Sequence, residues 1–443
     1  MTATTTGSPP AATASPSSGL ATGGATGVHE NVACPFCGIL CDDLEIGRTA
    51  SGLKVRKNGC DRAVAGFERP AVTSSPQIAG RDVSLAEAVT EAARLVRAAR
   101  LPLFGGLGTD VEGMRAVMSA AEHAGGVVDH AFSEGQYRNF EVLQTTGWFM
   151  STLTETRNRA DLIVIVGSDI HKLHPRFFER IVATPEPMFL GAGKKRTVVF
   201  IGAGLDTSAA TGGHIGEVIS LPCPIAAVGE VVSALRARLK GVPLAAKDIA
   251  GIAIAKIDDL ADRCRKADYG VMVWAPPSLA FPAADLTVRI VSDLVKDLNL
   301  TTRFACLSLG GNEGAVSAGA VSTWQSGFPL RVSYASGKPD YDPVRFAAER
   351  LIARRETDLV LWVASFTPDL VPPESDIPTV LLGVPGMTLA AQPAVYIPVG
   401  TPGADHAGRL IRCDNVVSLP LRNLGRSTLP SVATVLAAIE HAL

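Results

Sequence analysis

Ser84-Leu-Ala-Glu-Ala-Val-Thr-Glu-Ala-Ala-Arg-Leu-Val-Arg-Ala-Ala-Arg100, followed by Leu101-Pro-Leu-Phe104 and Gly105-Gly-Leu-Gly108, decides the fold class. Ser84 and Glu87 stand in capping-box spacing, each able to satisfy a free N–H of a first helical turn. Leu85, Ala88, Val89, Ala92 and Leu95 then recur along one helical face. The spacing predicts a helix over 84–100, a short apolar strand over 101–104, a glycine loop over 105–108 and a second helix from Asp110 to about His123.

The same alternation continues outward. Strands are expected at Leu162–Val166, Thr197–Ile201, Val271–Trp274, Arg303–Leu309, Leu359–Val363 and Thr379–Leu382, with amphipathic stretches between them. Strands joined by helices make right-handed crossovers and a mostly parallel sheet, in which ligands sit beyond the carboxyl ends of the strands. Three glycine loops mark candidate edges of such a site: Gly105–Gly108, Gly202-Ala-Gly204 and Gly310-Gly-Asn-Glu-Gly314. None is a full dinucleotide or phosphate-loop motif, because Thr207 takes the place of a third glycine and no Lys-Ser/Thr follows. Each taken alone reads more simply as a turn.

Composition narrows the function classes. The 443 residues are 47% hydrophobic, enough for more than one lobe, and 41 basic against 43 acidic residues give a formal charge of -2. Nothing in that balance favours nucleic acid or an anionic membrane as partner. Residues 1–29 hold almost only small and turn-forming side chains and read as a disordered tail, with neither the apolar stretch of a secretion signal nor the arginines of a transit peptide. No apolar run reaches the roughly 18 residues of a membrane span, so a cytoplasmic protein is expected. Eight irregularly spaced cysteines are not a disulfide framework.

Four of them carry the strongest chemical signal. Cys34, Cys37, Cys41 and Cys60 follow the pattern C-x2-C-x3-C-x18-C, with Pro35 and Gly38 shaping the loop. Three close thiolates and a fourth from a returning segment suit a [4Fe-4S] centre. A zinc site would ordinarily show a second C-x2-C pair, and unmetallated thiols are the remaining alternative. Cys223, Cys264, Cys306 and Cys413 lie scattered in apolar segments and read as small core residues.

The phrase Cys34-Pro-Phe-Cys-Gly-Ile-Leu-Cys-Asp-Asp-Leu-Glu45, with basic Arg62 just after Cys60, resembles the amino-terminal segment of molybdopterin oxidoreductases, and in particular the B subunit of formylmethanofuran dehydrogenase. Further likeness lies in Gly125-Gly-Val-Val-Asp129, Glu155-Thr-Arg-Asn-Arg-Ala-Asp161, Thr323-Trp-Gln-Ser-Gly-Phe-Pro329 with Tyr341-Asp-Pro343, and Arg412-Cys-Asp-Asn415, so that it spans roughly 31–425. The resemblance implies a multi-lobed molybdopterin oxidoreductase fold with Rossmann-like sheets. The expected division is a cysteine segment at 30–70, one α/β lobe from 71–129 plus 306–443, and a second lobe, 130–305, inserted into it. Arg62 would lie between cluster and pterin, a surface arginine being the bland alternative.

In the redox members of that family a cysteine or selenocysteine shortly after the segment matching Val127–Asp129 binds molybdenum or tungsten. Here no cysteine occurs between Cys60 and Cys223, and Gly135 is the expected replaced position. Ser133 and Glu134 could offer oxygen ligands but are accounted for by a helix start. His130, and His171 with His174, could line a cleft, although loop capping accounts for them as simply; Asp405-His406 reads as a turn.

The resemblance therefore implies a non-redox B subunit of a formyltransferase/hydrolase complex in one-carbon metabolism, in which a formyl group passes from formyl-tetrahydromethanopterin through a methanofuran-like carrier to formate. Its partners would be an amidohydrolase-like A subunit, a C subunit and a formyltransferase D subunit. This chain would carry no catalytic residue of its own and no molybdenum or tungsten pterin. The competing readings are a working dehydrogenase with metal pterin and cluster, and a free-standing metal-binding module.

Overall fold

The computed structural model describes residues 27–443. Val28–Val32, Leu44–Thr49 and Gly52–Lys57 form a small antiparallel sheet, followed by the helix Asp61–Phe67. Val28 and His29, assigned to the tail by composition, thus belong to a strand; the other expected tail residues, 1–26, lie outside the described ones.

Two larger sheets carry the body. The first is wholly parallel, in the order Ile215–Leu221, Arg196–Ile201, Leu162–Val166, Gly270–Trp274, Phe304–Ser308. Its strands are continuously apolar because both faces are covered. Leu162, Val164 and Val166 face the core under the helices Val228–Leu239, Ile254–Lys266 and Ala284–Leu298, whereas Ile163 and Ile165 face the cysteine segment. The alternation of side chains along a strand thereby couples that segment to the sheet.

The second sheet has nine strands. Val127–Val128, Pro102–Gly108, Leu359–Ala364, Thr379–Gly383 and Val395–Pro398 run parallel, with short antiparallel strands at both edges. Helices Leu85–Ala98, Val111–Ala124 and Val432–His441 cover one face around Phe104, Leu361 and Val363. Ser84 and Glu87 form the expected capping box, and Asp110 caps the second helix through Gly113 N at 3.1 Å.

One local expectation is overturned. Gly105–Gly108 is not a loop but the second half of the strand Pro102–Gly108, and every residue of it is buried. The Trp362 ring lies against Gly105 and Gly106, where an added Cβ would approach it to 2.9 and 2.8 Å. Close packing thus demands glycine at 105, while at 106 the left-handed φ of +73°, where the pairing register with the neighbouring strand shifts, demands it as well.

Candidate functional site

The carboxyl ends of both parallel sheets open onto one cavity of about 550 Å³. Asp129 and His130 follow the strand Val127–Val128, and Leu309 to Glu313 follow Phe304–Ser308. Pro276 follows Gly270–Trp274, Thr367 and Asp369 follow Leu359–Ala364, and His174 follows the short helix Ile170–Leu173. This is where an open α/β sheet places a ligand.

Glu313 is one of the lining residues. It has φ +52°, a left-handed conformation sparsely adopted outside glycine, between Gly311 and Gly314, which are also left-handed. Gly314 admits no side chain, since a Cβ would meet Thr109 O at 2.4 Å. The strained turn directs the Glu313 carboxyl inward, where it is 9% exposed and Oε1 accepts from Thr367 Oγ1 at 2.9 Å. Burial pushes its pKa up to about 7, against the pull of the Thr367 hydrogen bond and of Arg62 and Arg69.

Two histidines meet the same loop. His130 Nε2 faces Glu313 O at 3.1 Å while its Nδ1 accepts from Phe132 N at 2.9 Å. His174 Nε2 faces Leu309 O at 3.2 Å. A carbonyl only accepts, so in both rings the proton sits on Nε2. Burial pushes both histidines down to about 4, which keeps them neutral. His171, by contrast, stands outside, 4.0 Å from Asp206. The pair at i, i+3 is therefore split, and only His174 lines the cavity.

Asp129 is held beside Arg331. Its Oδ2 accepts from Ala348 N at 2.8 Å and lies 3.6 Å from Arg331 Nε. Arg331 in turn donates to Glu134 Oε2 at 2.9 Å and Ser133 Oγ at 3.2 Å, and stacks on the Tyr137 ring at 4.0 Å. Burial pushes Asp129 up to about 6 despite Arg331. Ser133 and Glu134 are indeed the start of a helix, Ser133–Thr145, and Gly135 sits within its first turn, 3.4 Å from Pro276 by an ideal Cβ. Among the described residues no cysteine lines the cavity.

The four amino-terminal cysteines are brought together on the near side of the cavity. Cys34 N donates to Cys41 O at 2.8 Å and Leu40 N to Cys37 O at 3.1 Å, closing the loop on itself. Burial drives the Cys34, Cys37 and Cys41 thiols up, Cys37 to about 12, and Cys34 feels each of Cys37, Cys41 and Cys60 in addition. Cys34, Cys37 and Cys41 are buried and Cys60 is partly exposed, four thiols of the chemical kind an all-thiolate cluster uses. Among the described residues no group of three or more His, Cys, Asp or Glu is arranged to hold a metal ion, the four cysteines included.

Arg62 links the two regions. It lines the cavity, acts electrostatically on Cys37, Glu313 and His174, and forms no side-chain hydrogen bond among the described residues. Cys413 is the buried core thiol expected, and its core is the one that holds the cysteine segment: Cys413 N donates to Gly38 O at 2.9 Å, and its thiol is raised by burial first and in part by Cys37. Asp405 is more than a turn residue. It accepts from Thr401 N at 2.7 Å and forms a buried pair with Arg426.

No family model matches the chain. It is 28% identical, over 88% of its length and 92% of the relative's, to the B subunit of the tungsten-containing formylmethanofuran dehydrogenase 2 of Methanococcus maripaludis. It is 31% identical to the B subunit of the formyltransferase/hydrolase complex Fhc of Methylorubrum extorquens, over 73% of this chain and 84% of that one. The structure superposes, with a TM-score of 0.70 and 28% identity over 83% of this chain and 98% of the other, on a chain of the crystal structure of the formyltransferase/hydrolase complex FhcABCD from Methylorubrum extorquens in complex with methylofuran.

Proposed function

Because the chain belongs to the family formed by the B subunits of formylmethanofuran dehydrogenases and formyltransferase/hydrolase complexes, we propose that it is the non-redox B subunit of such a complex and acts mainly in assembly. The observation that carries this reading is the absence of sulfur at the cavity: Gly135 stands in the helix turn between Glu134 and Gln136, and no described lining residue is a cysteine. A soft thiolate is the protein ligand that a tungsten or molybdenum pterin takes in the redox relatives. Asp129, Glu134 and Glu313 offer only hard oxygen donors, and one carboxyl oxygen of each is held by a hydrogen bond within the protein, so the residues present do not fit that metal.

In this reading the reaction belongs to partners: an amidohydrolase-like A subunit, a C subunit and a formyltransferase D subunit, with a methanofuran-like carrier moving the formyl group. The lobes would be 71–129 with 306–443, carrying the nine-stranded sheet, and the inserted 130–305, carrying four strands of the five-stranded one, whose last strand, Phe304–Ser308, straddles the boundary, in a molybdopterin oxidoreductase-like arrangement. A cytoplasmic setting accords with the lack, among the described residues, of any helix long and apolar enough to cross a membrane. The thiols of Cys34, Cys37, Cys41 and Cys60 would hold a [4Fe-4S] cluster, which would supply electron transfer in a redox relative and a structural staple here.

The C-x2-C-x3-C-x18-C pattern of those four thiols favours a second reading, a working dehydrogenase. Purification of the assembly without oxygen separates the two, with molybdenum, tungsten and iron measured per chain alongside dye-linked oxidation of a formylated furan amine. The expected result is co-purifying partner subunits, neither molybdenum nor tungsten, and no dye reduction. Stoichiometric molybdenum or tungsten with dye reduction establishes the dehydrogenase instead, and a monodisperse chain without partners establishes a free-standing module.

A further inference from the structure

Among the described residues six buried side-chain polar atoms have no hydrogen-bond partner: Asp129 Oδ1, Gln136 Nε2, His174 Nδ1, Arg196 Nε, Glu313 Oε2 and Arg331 Nε. Five of the six belong to residues lining the central cavity. Buried polar groups in folded proteins are overwhelmingly satisfied, and leaving one bare costs roughly 1–3 kcal/mol. Such a concentration in one place points to a partner that the fold itself does not provide. Asp129 is 2% exposed, His174 1% and Glu313 9%, so these atoms are not simply facing bulk solvent.

Their chemistry is lopsided. His174 carries its proton on Nε2, toward Leu309 O, so its free Nδ1 is an acceptor. With the carboxyl oxygens of Asp129 and Glu313, three of the five free atoms accept. The charges lean the same way: Asp129, Glu134, Glu313, Glu349 and Asp369 line the cavity against Arg62 and Arg331. Arg331 is largely committed to Asp129, Glu134, Ser133 and the Pro343 carbonyl, which leaves Glu313, Glu349 and Asp369 facing Arg62. The remaining walls, Phe132, Pro276, Leu309, Trp362 and Leu370, are apolar. The volume of about 550 Å³ lies within the range of small-molecule pockets.

We propose that this cavity binds a small organic amine, its ammonium group donating to Glu313, Asp129 and His174 and its apolar or aromatic body lying against Phe132, Leu309 and Trp362. Gln136 and Arg331 supply the two free donors, suited to a carbonyl or ether oxygen on the same molecule. An anion of equal shape meets the carboxylates and is refused. The site goes beyond an assembly role, because it gives the chain a ligand of its own wherever the chemistry of the complex takes place.

Calorimetric titration of the full-length chain, in whatever assembly it purifies, with benzylamine, benzyl alcohol and benzoate tests charge at constant shape. Benzylamine is expected to bind at least tenfold more tightly than benzyl alcohol, with benzoate weakest. Glu313→Gln should weaken benzylamine at least tenfold and leave benzyl alcohol unchanged. Should that variant fail to fold, His174→Phe takes its place with the same expectation. Undetectable benzylamine binding, a preference for benzoate or the alcohol, or variants that bind benzylamine like the parent chain would each overturn the proposal.

Discussion

Arg176 grips Asp43 with both terminal nitrogens, Nη1 to Oδ1 at 2.7 Å and Nη2 to Oδ2 at 2.8 Å, while its Nε and Nη2 also reach Glu179 at 3.0 and 2.6 Å. Arg180 adds contacts to Asp42 at 2.9 Å and Asp43 at 3.2 Å. The acidic pair that follows the third cysteine is therefore a clamp, joining the cysteine loop to the turn Phe178–Val182 beneath the five-stranded sheet. Arg176 is 6% exposed and Asp43 32%, so losing the arginine leaves Asp43 half-buried with Arg180 alone and Glu179 without its partner. Arg176→Gln should cost about 2–3 kcal/mol, and adding Asp43→Asn should recover part of that loss. A double-mutant cycle by urea unfolding checks this; purely additive losses would show that the pair is not coupled.

A second contact makes the cysteine loop intolerant of any side chain at Gly38. A Cβ there would fall 1.8 Å from Gly310 O and 3.1 Å from Gly311 Cα, both backbone atoms that no rotamer change can move. Gly38 N also donates to Asn312 Oδ1 at 3.2 Å. Gly38→Ala must therefore pry the loop from the strand end that forms the cavity floor. A loss of at least about 3 kcal/mol is expected. Gly204→Ala is the control, since nothing lies within 4 Å of its Cβ, although its left-handed φ of +72° imposes a smaller backbone strain. Equal thermal midpoints for the two variants would refute the close-packing argument.

What was legible along the chain was local. The Ser84–Glu87 box, the Asp110 cap and the apolar runs of the parallel strands depend on neighbours within a few residues or on burial of both faces, and they stand near where the sequence places them. Gly105–Gly108 misleads because glycine clusters ordinarily mark turns, whereas here the space is taken by Trp362, Val363 and Leu370, all more than 250 positions away. The cavity was half legible. Asp129, His130, His174 and the Gly310–Gly314 loop each carry a signal in the sequence, whereas Glu313 looks like any loop residue and Arg331 like any arginine. Their roles depend on burial and on partners some 50 to 200 positions distant. Cys413 and the fully buried Arg196, which donates to the Ile181, Val182 and Arg157 carbonyls, are silent for the same reason.

The thiol pocket gives a third prediction. Chain purified without oxygen should carry about four iron atoms with a visible charge-transfer band. Cys37→Ser should remove most of that iron, because an alcohol is a far poorer ligand than a thiolate. Cys264→Ser should leave the iron intact, since Cys264 lies in the separate core under the helices. Iron-free protein that folds and assembles normally would show the four thiols to be an ancestral remnant.

The last prediction concerns pH. Burial raises Glu313 from 4.5 to about 7, so between those values the folded chain keeps a proton that the unfolded chain releases. A state that binds more protons is favoured at low pH. Folding stability should therefore fall as pH climbs from about 4.5 to 7, by at most about 3 kcal/mol, and level off above. Asp129 titrates in the same window with the same sign, raised from 3.8 to about 6, and Arg62, Arg69 and Thr367 surround Glu313 from other elements. Comparing the parent chain with Glu313→Gln cancels every contribution but that of Glu313. The variant should be close to the parent in thermal midpoint at pH 5, gain on it up to about pH 7 and hold that gain to pH 8, because the amide never ionises and still accepts from Thr367. A gap that stays constant across that range would mean that the Glu313 carboxyl ionises as it does in water, and that the cavity is wetter than its geometry implies.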